Sequence, residues 1–310
     1  MQTKALTART RPVFWICMVA LTLLSSPVSA EHIKKGISLC INTVIPAVFP
    51  FMIISSLIIV SGASGDLGSL LGKPLNFIFG IGTAGSCALS LGFLCGYPTG
   101  ALSAVKLFDR GEMSKSELEY LLTFMNIPSA AFVISGVGAS MLSSAELGIA
   151  IYVSVLISAV IVGLILRPFK SQKNKPKTTP HASPDKLSFS SVISESIWSA
   201  ARNMLSVCAC VITFSALSGT LCSCFPIPEI VKVAISGFLE VSSGAKIASS
   251  APPAPFLCAA VCAWSGLSVH VQIISACRGR GISFIPFFVS KATQAIIAPA
   301  ILLLYIEFCR

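Results

Sequence analysis

The sequence predicts an all-α polytopic membrane protein built from inverted repeats. Each repeat reads as a helix, a re-entrant hairpin and two further helices, with an extra N-terminal span. Three observations carry this expectation. First, 54% of the 310 residues are hydrophobic and 11% are charged, with mean hydropathy +0.86; a soluble domain carries about 25% charged residues. Second, the charges are clustered: residues 36–65, 74–105, 147–166, 203–228 and 247–277 hold no Asp, Glu, Lys or Arg. Each run reaches the roughly 20 residues that a spanning helix needs. Third, the string GFLCGYPTGA at 92–101 returns in altered form as GFLEVSSGA at 237–245. A glycine-broken, polar-punctuated segment in each half of an apolar chain is the pattern of transporters whose discontinuous helices meet near the bilayer midplane.

Inside lipid only helices and closed barrels satisfy the backbone. The apolar runs show no two-residue alternation, so they are helices. Lys4, Arg9 and Arg11 precede the apolar stretch 13–24, and Pro27 and Val28-Ser29-Ala30 follow. That is the layout of a signal peptide. We read it as a retained first span, 13–29; retained or cleaved, it leaves residue 31 outside. Residues 41–61 then cross back. Residues 74–105 pose a choice. A single crossing would put the next basic residues, Lys106, Arg110 and Lys115, outside, and would later carry the loop 167–188 outside too. A hairpin that enters and returns on one side keeps both basic loops inside, as the positive-inside rule favours. Glycines 80, 82, 85, 92, 96 and 100 and Pro98 offer the breaks.

The remaining elements follow. Residues 118–142 cross outward and 147–166 cross inward. The loop 167–188 carries Arg167, Lys170, Lys173, Lys175, Lys177 and Lys186 against the single acid Asp185. Residues 193–221 cross outward. Residues 229–249 hold Glu229, Lys232, Glu240 and Lys246, too many charges for a lipid-facing span; they are read as the second hairpin. Residues 255–275 cross inward and 284–306 outward. The units are therefore 1–30, a span or signal-like segment; 31–166, the first repeat; 167–188, a basic cytoplasmic loop; and 189–310, the second repeat. Ser135-Gly136-Val137 and Ser265-Gly266-Leu267 form a second matched pair.

The net charge of +10 lies in short loops between apolar runs, which assigns it to topology and not to nucleic acid. The twelve cysteines sit within or beside apolar runs and read as small helix residues. The pairs Cys208/Cys210 and Cys222/Cys224 lack the usual zinc spacing, so no metal is expected. Residues 80–85, GIGTAG, fit G-x-G-x-x-G without a surrounding βαβ pattern and read as helix breaking or packing. No nucleophile–base–acid set, P-loop or H-E-x-x-H motif is present, so no enzyme is expected.

The candidate substrate-binding residues are the polar and helix-breaking ones inside apolar runs. Gly96, Tyr97, Pro98, Thr99 and Gly100 unwind a helix and expose amides and carbonyls, or form a loop at the membrane edge. Glu240, beside Ser242, Ser243 and Gly244, is a proton or cation ligand, a headgroup-level acid, or the buried partner of Lys246. His270, with Ser268 before it, relays protons or is packed and hydrogen-bonded. Gln272 both donates and accepts, which suits a polar solute. Asn126, near Pro128 and Ser129, coordinates a ligand or caps a broken helix.

Four segments in order, ISLCINTVIPAVFPF at 37–51, GFLCGYPTGA with Lys106 shortly after, GFLEVSSGA, and SGLSVHVQ at 265–272, together resemble the YlbJ-type sporulation integral membrane proteins. These belong to the nucleoside-recognition or Gate-domain group, which is distantly similar to concentrative nucleoside transporters. The resemblance covers residues 31–306. It implies a multi-pass protein of the bacterial cell membrane that moves a small solute in spore maturation, with dipicolinate as the candidate. The expected function is transport of a small polar, anionic solute by alternating access, coupled to a proton or sodium gradient and using no cofactor. The alternative is a non-transporting scaffold that docks partners on the basic loop. The expected partners are the solute and the lipid bilayer, with no nucleic acid; an oligomer stays open.

Overall fold

The computed structural model describes residues 26–169 and 188–308. Most of the N-terminal segment 1–30 and of the basic loop 167–188 therefore lies outside the described residues. Within them the chain is helical and has no strand. Five helices are long and apolar enough to cross a membrane, and one bent pair could supply a sixth span. The chain is a multi-pass membrane protein.

The first helical unit is longer than expected. It runs Ser26–Leu39 (α1), through a π-helical turn Cys40–Val44, into Ile45–Val60 (α2), and passes as one span Pro27–Val60. The charges that suggested a loop, Glu31 and Lys35, sit four residues apart and pair at 2.6 Å on the exposed face, which a helix accommodates. The wide turn has a cause. Pro46 and Pro50 lack the amide that an α-helix needs, and the Ile45 amide reaches back five residues to the Cys40 carbonyl.

Next come α3 (Ser64–Phe79), α4 (Thr83–Cys95) and α5 (Thr99–Asp109). The expected hairpin 74–105 is corrected here. Pro74 lies inside α3, and the chain breaks at Gly80, whose φ of +66° closes that helix. A 92° bend then separates α3 from α4. The hairpin is α4–α5, turned at Gly96 (φ +74°) and Pro98. Gly92 and Gly100 do not break it: a Cβ on Gly100 would run into the Gly92 backbone, so the two glycines let its legs cross closely. Gly82 donates to Glu117 Oε1 at 2.7 Å, which puts a carboxylate at the start of α4.

The crossing expected at 118–142 is broken. It consists of α6 (Lys115–Phe124) and a π-helical segment, Phe132–Met141, with Pro128 between them. The span α7 (Ala145–Leu166) follows. After the undescribed loop comes α8 (Phe189–Cys224), 36 residues, or about 54 Å at 1.5 Å per residue. It packs along α1 and α2, burying Cys40, Val44, Val48 and Met52 against Ala200, Met204, Val207 and Val211.

The second hairpin is α9 (Glu229–Leu239) and α10 (Val241–Ala248), turned at Glu240 in extended conformation. Its legs cross as in the first hairpin: a Cβ on Gly244 would strike the Gly237 backbone. The repeated Gly-Phe-Leu and Gly-Ala words thus mark one packing device used twice. The span read at 255–275 is also broken, into α11 (Ala254–Trp264) and α12 (Gly266–Ala276). Ser265 (φ +78°) and Gly266 (φ +74°) make the break. Its counterpart in the first half is Pro128-Ser129, not Ser135-Gly136, which lies inside a helical segment. The last span is α13 (Ile285–Phe308).

Two loops meet at one end of the bundle. Arg280 holds Asp109 in a two-pronged pair, both bonds 2.6 Å. The Asp109 hydrogen bonds push the Arg280 guanidinium further above its ordinary range. The Ser283 amide donates to Glu119 at 2.8 Å. Arg110 bonds the Ile59 carbonyl and Arg167 the Ile78 carbonyl, so the ends of α2, α3, α5 and α7 gather there. The far end of α8 meets the start of α1, where Ser29 bonds Thr220 and His32 bonds Ser223.

Candidate functional site

Each hairpin tip is seated in the break of the helix that follows it. In the first half the Tyr97 amide donates to the Ile127 carbonyl at 2.8 Å. A Cβ on Gly96 would collide with the backbone of Pro128 and Ser129. In the second half a Cβ on Gly266 would meet the Glu240 and Val241 backbone at about 3 Å. Trp264 Nε1 fastens the same tip by donating to the Phe238 carbonyl at 3.0 Å.

The two tips flank a small, partly open cavity of about 40 Å³, well below the roughly 300–1,000 Å³ of pockets that hold drug-sized ligands. Tyr97, Pro98 and Ser129 line it from the first half, and Glu240, Ser242 and Gln272 from the second. The rest of the wall is apolar: Val44, Val48 and Phe132, then Val207, Val211, Val241 and Val269. Among the described residues Glu240 is the only charged one on that wall.

Glu240 is fully buried and caps α10. Its Oε1 accepts from the Ser242 amide (3.0 Å) and its Oε2 from the Ser243 amide (2.6 Å) and hydroxyl (2.8 Å). Ser243 Oγ, with its proton committed to Glu240, accepts from Ser215 of α8 at 2.5 Å. A carboxylate at a helix N-terminus meets the positive end of the dipole. Lys246 is exposed and makes no pair with Glu240, so the buried-pair reading of Glu240 falls.

Other polar groups on the wall are left without partners. The Tyr97 hydroxyl points toward Ser265, near Cys262 and Glu240, yet makes no hydrogen bond of normal geometry. Gln272 faces the Cys210 thiol, and neither its carboxamide nitrogen nor its oxygen is bonded. A buried polar atom without a partner costs about 1–3 kcal/mol, and the residues of this wall carry three such atoms.

The other candidates stand off the wall. Gly100 and Gly244 serve the hairpin crossings, and Gly96 the tip. Thr99 and Ser268 are buried with unbonded hydroxyls. His270 is buried, donates from Nδ1 to the Gly266 carbonyl at 2.6 Å, and is flanked by Trp264, Phe287 and Phe288 with centroids 4.5–5.1 Å away. Asn126 lies in the break after α6, where its side chain donates to the Leu122 carbonyl at 2.8 Å. It does not reach the cavity. Sequence reasoning missed Ser129, Ser215 and the valines contributed by α1–α2 and α8. It also missed Lys291, buried in α13; an ionisable residue seven positions into an apolar span was signal enough.

Fold and site together define a polytopic α-helical membrane protein with a small, largely apolar cavity between two broken-helix hairpins. The chain is similar to the sporulation integral membrane protein YlbJ of Bacillus subtilis (strain 168), with 24% identity over 329 aligned residues that span 94% of this chain and 81% of the relative. That similarity supports the YlbJ-like assignment made from the four segments. No family model matches the chain, and no solved structure matches it.

Proposed function

We propose that this protein carries a small polar solute across the membrane by alternating access, in the sporulation role that its similarity to YlbJ suggests. One observation carries the reading: the cavity sits where the two hairpin tips meet, and Tyr97, Glu240, Ser242 and Gln272 line it within a wall that is otherwise largely apolar. The hairpins open toward different ends of α8, which suits an inverted repeat. The end gathering Asp109, Arg167 and Arg280 is taken as cytoplasmic, because the basic loops lie there.

The charge on the wall constrains the chemistry. An anionic solute, of which dipicolinate is the candidate, would meet the Glu240 carboxylate across a few ångströms. Binding therefore calls for a proton on Glu240 or on the solute, and couples solute movement to proton movement. Glu240 is the coupling residue in this reading; His270, off the wall with Nδ1 already committed, is the weaker choice.

The test is uptake by purified protein in liposomes, across dipicolinate, several nucleosides and a few carboxylates, with and without a proton or sodium gradient. Saturable, proton-driven uptake of one compound is expected. No uptake by correctly inserted protein would refute transport and favour the scaffold, for which the basic loop 167–188 is the docking feature. Deleting residues 172–186 should leave uptake intact under the transport reading and abolish function under the scaffold one.

A further inference from the structure

Lys291 takes no part in the cavity wall. It lies in α13, is 1% exposed, and is paired with no Asp or Glu among the described residues. Its ammonium donates to the Asn126 carbonyl at 2.8 Å and to Gln294 Oε1 at 3.1 Å.

The origin of these acceptors is informative. Helix α6 stops inside the protein at Phe124, and Asn126-Ile127-Pro128 do not continue it, so its last carbonyls have no helical partner. Gln294 Nε2 takes the Thr123 carbonyl at 2.9 Å, Asn126 Nδ2 takes that of Leu122, and Lys291 takes that of Asn126. The negative end of the α6 dipole points at the same place. Two more buried acceptors in this part of the core, Asn126 Oδ1 and His270 Nε2, have no partner. With Nδ1 donating to a carbonyl, the neutral His270 ring offers Nε2 as a lone pair. The cluster is thus a pocket of uncharged donors of electron density at the C-terminal end of a discontinuous helix, the kind of place where transporters hold a monovalent cation.

We propose that this pocket is a monovalent-cation site and that the Lys291 ammonium is its permanent, tethered occupant. No Asp or Glu is paired there among the described residues to compensate a second cation. The protein therefore works without sodium. Under the transport reading, on which this consequence rests, the gradient used is the proton gradient.

The test does not need solute flux. Purified full-length protein is melted in sodium chloride and in equimolar choline chloride, following Trp198 and Trp264 fluorescence. The wild type should melt at one temperature in both. Lys291→Ala should melt lower in choline and regain a few degrees in sodium or ammonium chloride, because a bound cation stabilises the state that holds it. A sodium-specific rise in the wild type overturns the proposal. So does a Lys291→Ala protein that melts identically in all three salts. Lys291→Ser serves if the alanine variant does not fold, and the wild-type arm decides without any variant. Failure of transport would leave these melting results standing; in active proteoliposomes, uptake should be equal in sodium and choline.

Discussion

Adding one methyl group at Gly244 tests whether the repeated words encode a close hairpin crossing. In Gly244→Ala the new Cβ would fall on the Gly237 backbone, closer than non-bonded carbons approach, whereas such atoms settle at about 3.5–4.0 Å. The legs α9 and α10 must part by roughly 1 Å, yet they are held together at the tip by the Glu240 cap and by Gly266. Overpacking of this kind costs about 1–3 kcal/mol. Alanine also favours a helix over glycine by about 1 kcal/mol, and Gly72→Ala in α3, with no atom within 4 Å of its new Cβ, measures that gain alone. The difference between the two variants isolates the crossing. At about 3 °C per kcal/mol, Gly244→Ala should melt roughly 3–9 °C below Gly72→Ala. Gly100→Ala should behave likewise, because it strikes Gly92. Thermal melts of the purified variants in one detergent read the effect. If Gly244→Ala melts with Gly72→Ala, the crossing is loose and the repeat has another origin.

Three further outcomes are expected. Tyr97→Phe and Gln272→Leu remove buried polar atoms that make no bond, so each should hold or raise the melting temperature while lowering solute uptake; a loss of stability would mean these atoms are bonded after all. Glu240→Gln replaces one acceptor oxygen with an amide NH2 donor facing the Ser242 and Ser243 amides, which should cost about 0.5–2 kcal/mol as a damaged N-cap and uncouple uptake from the proton gradient; unchanged proton-driven uptake would remove Glu240 from coupling. Asp109→Arg and Arg280→Asp should each destabilise and should recover together, with a coupling of about 0.2–1 kcal/mol for a half-exposed pair; if the double swap recovers nothing, the two loops do not meet.

Much of the fold was legible because lipid imposes simple rules. Charge-free runs located α2, α7 and much of α8, and the parity of basic loops favoured a first hairpin. Boundaries failed where helix breakers were weighed by type alone. Pro74 was read as the start of the hairpin, yet one missing amide bends a helix without ending it, and Gly80 ended it by adopting a positive φ. Pro128 was read through as part of a crossing, although a hairpin tip sits in the gap it opens. The site was partly legible: Tyr97, Pro98, Glu240, Ser242 and Gln272 do converge on one cavity. The valines opposite them carry no signal in sequence, since an apolar helix looks the same on every face.

Glu240, Lys291 and the unbonded groups should not be given the same meaning. Every helix that ends inside the bundle leaves amides or carbonyls without partners, and no water is at hand to take them. Glu240 answers the amides at the start of α10, and Lys291 answers a carbonyl at the end of α6. Each has the sign that its helix end favours, so each earns its place structurally before any solute arrives. A charge in the membrane is therefore weaker evidence of a binding role here than it is in an unbroken span. Tyr97 and Gln272 are the reverse case: they line the cavity, and their buried polar atoms make no hydrogen bond of normal geometry. If solute is recognised in this cavity, recognition lies with those two side chains, and Glu240 contributes by giving up the bonds that now hold it.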